Sequence, residues 1–100
     1  GISRDKFIQA LEAEGIPTRK LFVPIYKDPL FNLNSYDTPE AWQYYQNNKL
    51  DSKDFPVAEK AGFHEGIALW HPILLENESE LDDIVIAVEK IITNVDSLKE

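Results

Sequence analysis

One hundred residues with 18 acidic and 10 basic side chains carry a net charge of −8. That balance disfavours a polyanion partner and anionic membrane surfaces, because nothing here neutralises a run of phosphates. The absence of cysteine excludes disulfides and thiolate chemistry.

A hydrophobic fraction of 43% suffices for one packed domain spanning residues 1–100. No run approaches membrane-spanning length and no basic-then-apolar signal opens the chain, so a cytoplasmic setting is expected. Ser3 is placed to cap a helix whose body runs from Arg4 to Glu14, with Asp5 in its first turn. Phe7, Ile8, Ala10 and Leu11 form the apolar face. Gly15 stands where a left-handed residue closes a helix, Ile16 can fold back onto Leu11, and Pro17 prevents a restart. The chain opens directly at this cap, which suggests a cut inside a longer protein.

Thr18 to Val23 is short, β-branched at both ends and halted by Pro24, which predicts an edge strand. The turn region Ile25–Phe31 is rich in buried-type side chains. Residues 32–53 become polar and predict a surface insertion, with Thr38-Pro39-Glu40 starting a short helix that carries Trp42, Tyr44 and Tyr45. Asp54-Phe55-Pro56 opens another short helix ending about Phe63. Ile67–Trp70 then reads as an apolar strand, stopped by His71-Pro72. Asn77 followed by Glu80 predicts the start of a last helix. Leu81, Ile84, Val85, Val88, Ile91, Ile92 and Val95 are expected to form one apolar stripe along it, with Ile86 off the stripe. The helices and strands alternate, giving an α/β class with a two-layer, α+β-like arrangement of about three helices on a few-stranded sheet. Two strands cannot cover three helices, so a further strand is expected upstream of Gly1.

Little in this order carries chemistry by itself. His64 and His71 have no metal-ligand spacing, and a surface histidine and a strand-end histidine explain them better. Without cysteine, hydrolysis would need a serine on a sharp G-x-S-x-G turn, which is absent. The scattered glycines form no phosphate loop, and Asp82-Asp83 reads as a solvated face. A Schiff-base lysine needs a desolvated pocket. Lys20 and Lys27 flank the edge strand, while Lys6, Lys60 and Lys90 ride on exposed helix faces, and none suits the role. What remains is aromatic and titratable side chains at strand ends: Tyr26, Trp70 and His71. Each reads equally well as core or loop support and as a ligand-facing group. If the two strands are neighbours, these three residues could gather at one sheet edge.

Four blocks in order carry a resemblance. They are Arg4–Pro17 (RDxFIxALxAEGIP), Val23–Tyr26 with Asp28–Phe31 (VPIY, DPLF), Phe55–Glu59 (FPVAE) and Ile67–Leu75 (IALWHPxLL). Together they resemble the C-terminal part of the DegT/StrS-type aminotransferases, from Arg4 to about Ile92, closest to the branch acting on cyclitol-like ketones and aminohydroxybenzoate precursors. The resemblance implies a parent of fold type I, a homodimer in which a large domain upstream holds pyridoxal phosphate on a lysine. It implies that this chain is the small C-terminal α/β domain that closes over the site. On that resemblance the Schiff-base lysine, the aspartate at the pyridine nitrogen and the stacking aromatic all lie before Gly1. No catalytic, cofactor or metal residue is therefore assigned to this chain. Tyr26, Trp70 and His71 take the substrate side, facing a keto-sugar or cyclitol and an amino-acid donor. Many relatives carry a small residue or proline where Trp70 stands. The rival reading is a free-standing, non-catalytic α/β binding or regulatory module descended from such an enzyme.

Overall fold

In a computed structural model of the chain, residues 1–29 and 50–99 are described, together with Glu40, Gln43, Tyr44, Asn47 and Asn48. The Thr38-Pro39 helix start, Trp42 and Tyr45 lie outside the described residues. Helix α1, Arg4–Ala13, begins as its sequence predicts, with the Ser3 side chain accepting from the Lys6 N–H at 3.3 Å. Its end is a full Schellman closure. Gly15 adopts φ 86°, its N–H donates to Glu12 O at 3.0 Å, and the Ile16 N–H donates to Leu11 O at 2.9 Å. Leu11 and Ile16 are both buried, so the turn that stops the helix also seeds the core.

Strand β1 is Thr18–Lys20, shorter than the expected Thr18–Val23. The Leu21 N–H still donates to Gly66 O at 3.2 Å, after which the chain leaves the ladder. Pro24, which has no N–H to give, turns inward and is buried against Gly62. A 3-10 turn, Ile25–Lys27, follows.

Helix α2, Pro56–Lys60, has proline at its first position, where a missing N–H costs nothing. It runs on past Phe63 as a π turn, Ala61–Glu65, closed by the Gly66 N–H donating to Ala61 O at 2.6 Å. The widened turn leaves Gly62 O to accept from Arg4 Nη1 at 2.8 Å, tying α1 to this segment. The Arg4 side chain is only 8% exposed.

Strand β2 is Ile67–Leu69, one residue short of the predicted end. It pairs antiparallel with β1 in the register Thr18↔Leu69, Arg19↔Ala68, Lys20↔Ile67. Trp70 does not extend the strand. It stands before a 3-10 segment, His71–Leu75, and its carbonyl accepts from the Ile73 N–H at 3.1 Å.

Helix α3, Glu78–Thr93, is capped by the Asn77 side chain, which accepts from the Glu80 N–H at 3.1 Å. Asn77 Nδ2 donates to Glu80 Oε2 at 3.0 Å, so the pair is joined side chain to side chain. The expected stripe is narrower than its sequence suggests. Ala87 and Ile91 are buried and Ile84 and Val88 pack beside them, but Val85 and Ile92 turn to solvent along with Ile86. The reason is partner width: the core that α3 joins is built from α1, Ile16, Leu69, Ile73 and Leu98, a surface too narrow to cover seven apolar side chains. The core is accordingly Leu11, Ile16, Ala87 and Ile91, flanked by Ile2, Phe7, Ala10, Leu69, Ile73 and Leu98. Surface ion pairs brace it. Lys90 Nζ reaches Glu14 at 2.7 Å and Lys20 Nζ reaches Asp5 at 2.7 Å.

Candidate functional site

The residues singled out from the sequence fall into two places. Tyr26 sits in the 3-10 turn and is half-buried against α2. Its ring tilts onto Phe55 with centroids 5.0 Å apart, and its hydroxyl donates to Glu59 Oε1. The same carboxylate oxygen accepts Lys27 Nζ at 2.7 Å. The Lys27 ammonium in turn lies 4.9 Å from the Phe63 ring centroid and 5.7 Å from that of Tyr26, within cation–π reach of both. The Phe55 ring, the Lys27 ammonium and the Glu59 carboxylate thus hold the phenol in one orientation.

Trp70 and His71 occupy the other place. The Trp70 N–H approaches Pro17 O at 3.4 Å, beside the start of β1, whereas Tyr26 comes six residues after the end of β1. The strands are neighbours, but their antiparallel register assigns Tyr26 and the Trp70-His71 pair to opposite ends of the ladder. The three residues therefore do not share one edge within this chain. Trp70 is 47% exposed and His71 is exposed, so neither completes the core.

The members of the Tyr26 cluster were not all legible beforehand. Lys27 and Glu59 show no motif spacing, being 32 residues apart, and only the packing of the Ile25–Lys27 turn on α2 brings them together. Phe55 could have been suspected as the residue preceding a helix-opening proline.

The lysines are poor candidates for holding a carbonyl cofactor. Lys20, Lys27, Lys60, Lys90 and Lys99 are all ion-paired and none has a desolvated ammonium. The hydrogen bond that Lys60 donates to Glu65 pushes the lysine pKa above its ordinary value, the wrong direction for a nucleophilic amine. Among the described residues, no cluster of three or more histidines and carboxylates could hold a metal ion, and no helix is long and apolar enough to cross a membrane.

Relatives align with the whole of this chain. A protein of Streptoalloteichus tenebrarius is 32% identical over 103 residues, covering 99% of this chain. Proteins of Micromonospora echinospora and Streptomyces kanamyceticus are 30% and 32% identical, each covering 100% of it. All three carry the name "Putative L-glutamine:3-amino-2,3-dideoxy-scyllo-inosose aminotransferase". The resemblance carried by the motifs is thus met by named aminotransferases aligned from end to end, and the chain belongs with them as a relative. It spans about a quarter of their length, 24–25%. No protein-family model and no solved structure matches the chain.

Proposed function

We propose that this chain is the small C-terminal domain of an aminotransferase that transfers an amino group from an amino-acid donor to a cyclitol or keto-sugar ketone. The observation that carries this reading is the end-to-end alignment with proteins named for glutamine as donor and a scyllo-inosose as acceptor. On this reading the parent is a cytoplasmic homodimer that depends on pyridoxal phosphate, which when bound supplies the electron sink for the carbanion chemistry. The residues present do not fit the cofactor, since the lysines described above are exposed and engaged with carboxylates. It belongs to the larger upstream part of the protein, and no reacting group is assigned here.

What the chain contributes is wall and closure. Tyr26, held on Phe55 and Glu59, offers one fixed polar group on the substrate side. Trp70 and His71 stand accessible at the far end of the ladder, suited to a second stretch of wall. Phe22, Val57 and Leu75 are each more than four-fifths exposed, and apolar surface of that kind suits a domain with a partner to close against.

The test has two arms. The full-length gene product, incubated with glutamine and 3-amino-2,3-dideoxy-scyllo-inosose, is expected to yield the aminated cyclitol. Failure to aminate any cyclitol or keto-sugar, or a natural gene product no longer than this chain, would favour the non-catalytic module instead. The 100-residue chain alone, mixed with pyridoxal phosphate, is expected to show no absorption band from a lysine-bound cofactor. A stoichiometric band would overturn the division of roles.

A further inference from the structure

The contacts around Tyr26 decide more than its position. A phenol has one proton to donate and lone pairs with which to accept. In this structure the proton is committed to Glu59 Oε1, and a bond from hydroxyl to carboxylate is roughly twice as strong as one between neutral partners. Glu59 cannot readily turn away, because Lys27 Nζ holds the same oxygen at 2.7 Å and is itself placed against the Phe63 ring. The Glu59 side chain is 21% exposed, so the pair is also partly shielded from competing water.

We infer that Glu59 is a positioning and specificity-determining residue, which fixes Tyr26 as a hydrogen-bond acceptor toward the substrate. The ligand group that meets Tyr26 must then be a donor, a ring hydroxyl or an ammonium, and a substituent that only accepts is rejected there. This rests on the reading that Tyr26 stands on the substrate side, and it adds the polarity of the contact and the residue that sets it. A cyclitol or amino-cyclitol ketone presents several such donors around its ring.

The experiment uses the full-length enzyme and a series of monofluoro analogues of the cyclitol ketone, each replacing one hydroxyl by a group that cannot donate. Wild-type enzyme is expected to disfavour one analogue by about tenfold in kcat/KM, the value of one lost hydrogen bond. Tyr26→Phe should abolish that discrimination, because the acceptor is gone. Glu59→Ala should reduce it as well, because the freed phenol proton can turn to the ligand. Glu59→Gln, whose amide oxygen still accepts from the phenol, should restore most of it. Thermal melts of each variant report any loss of folding separately. If Glu59→Ala lowers the melting temperature but leaves the analogue ratio at the wild-type value, Glu59 is a strut and the inference is overturned. An unchanged ratio in Tyr26→Phe overturns it too, while leaving the aminotransferase reading intact. Absence of turnover with every ketone by the wild-type enzyme instead overturns the functional reading, and this inference with it.

Discussion

Two glycines stand where a neighbouring backbone or side chain leaves no room, and a third where the backbone itself demands one. A Cβ on Gly66 would lie 2.5 Å from Leu21 Cδ2 and 2.6 Å from Ala61 O, and one on Gly62 would lie 2.8 Å from Pro24 Cδ. Gly15 has open space around it, but its φ of 86° strains any side chain. The two costs differ in kind. Gly15→Ala is expected to destabilise by about 1 kcal/mol, from the left-handed backbone alone. Gly66→Ala is expected to cost about 2–3 kcal/mol, because the carbonyl of Ala61 cannot move without opening the π turn. Urea denaturation of the two variants checks the order, and a Gly66→Ala protein as stable as wild type would refute the close packing of residues 21–24 on this turn. Gly15 was legible in the sequence, since a glycine followed by Ile-Pro at a helix end has few other uses. The role of Gly66 was not, because its crowding comes from Leu21, 45 residues away.

At the level of elements, local signals located the helix starts well. Ser3, Pro56 and Asn77 each act where the sequence places them, since capping is decided within four residues. Asn77→Ala is therefore expected to cost about 1 kcal/mol and to fray the first turn of α3. Loss of amide exchange protection confined to residues 78–82 would verify it. Both strands came out shorter than read, for a shared reason. A ladder needs a partner N–H or C=O at each step. On one side the chain leaves it after the Leu21 N–H has bonded Gly66 O, before Pro24 is reached, and on the other Trp70 already leads into the 3-10 segment His71–Leu75. The apolar stripe of α3 was overread because periodicity identifies a face and says nothing of how wide its partner is. Val85 and Ile92 lie at the right angles for a broad stripe but stay more than half exposed.

At the scale of the whole chain, the described residues form a small core and leave much apolar surface. Leu11, Ile16, Ala87 and Ile91 form the buried cluster, while Phe22, Ile25, Val57 and Leu75 remain more than two-thirds exposed. Exposed side chains of that size favour association. The isolated chain is expected to self-associate at micromolar concentration, and a Phe22→Ser, Val57→Glu double variant should shift it toward monomer in sedimentation velocity without lowering its melting temperature. A wild-type chain that stays strictly monomeric would count against the closing-domain reading.

By itself the sequence determined the order of the helices and strands described above, the residues that start the helices, and the kinship to aminotransferases. These rest on local chemistry and on motif order, both of which a linear chain carries in full. Tertiary structure alone decided that β1 and β2 run antiparallel, so that Tyr26 and Trp70-His71 lie at opposite ends of the ladder. It also decided that Glu59 accepts the hydrogen bond of the Tyr26 hydroxyl while Lys27 holds the carboxylate in place. Such pairings depend on closing long stretches of chain, 33 residues from Tyr26 to Glu59 and 47 from Lys20 to Ile67, and the direction of a strand or the partner of a carboxylate is chosen only when those ends meet.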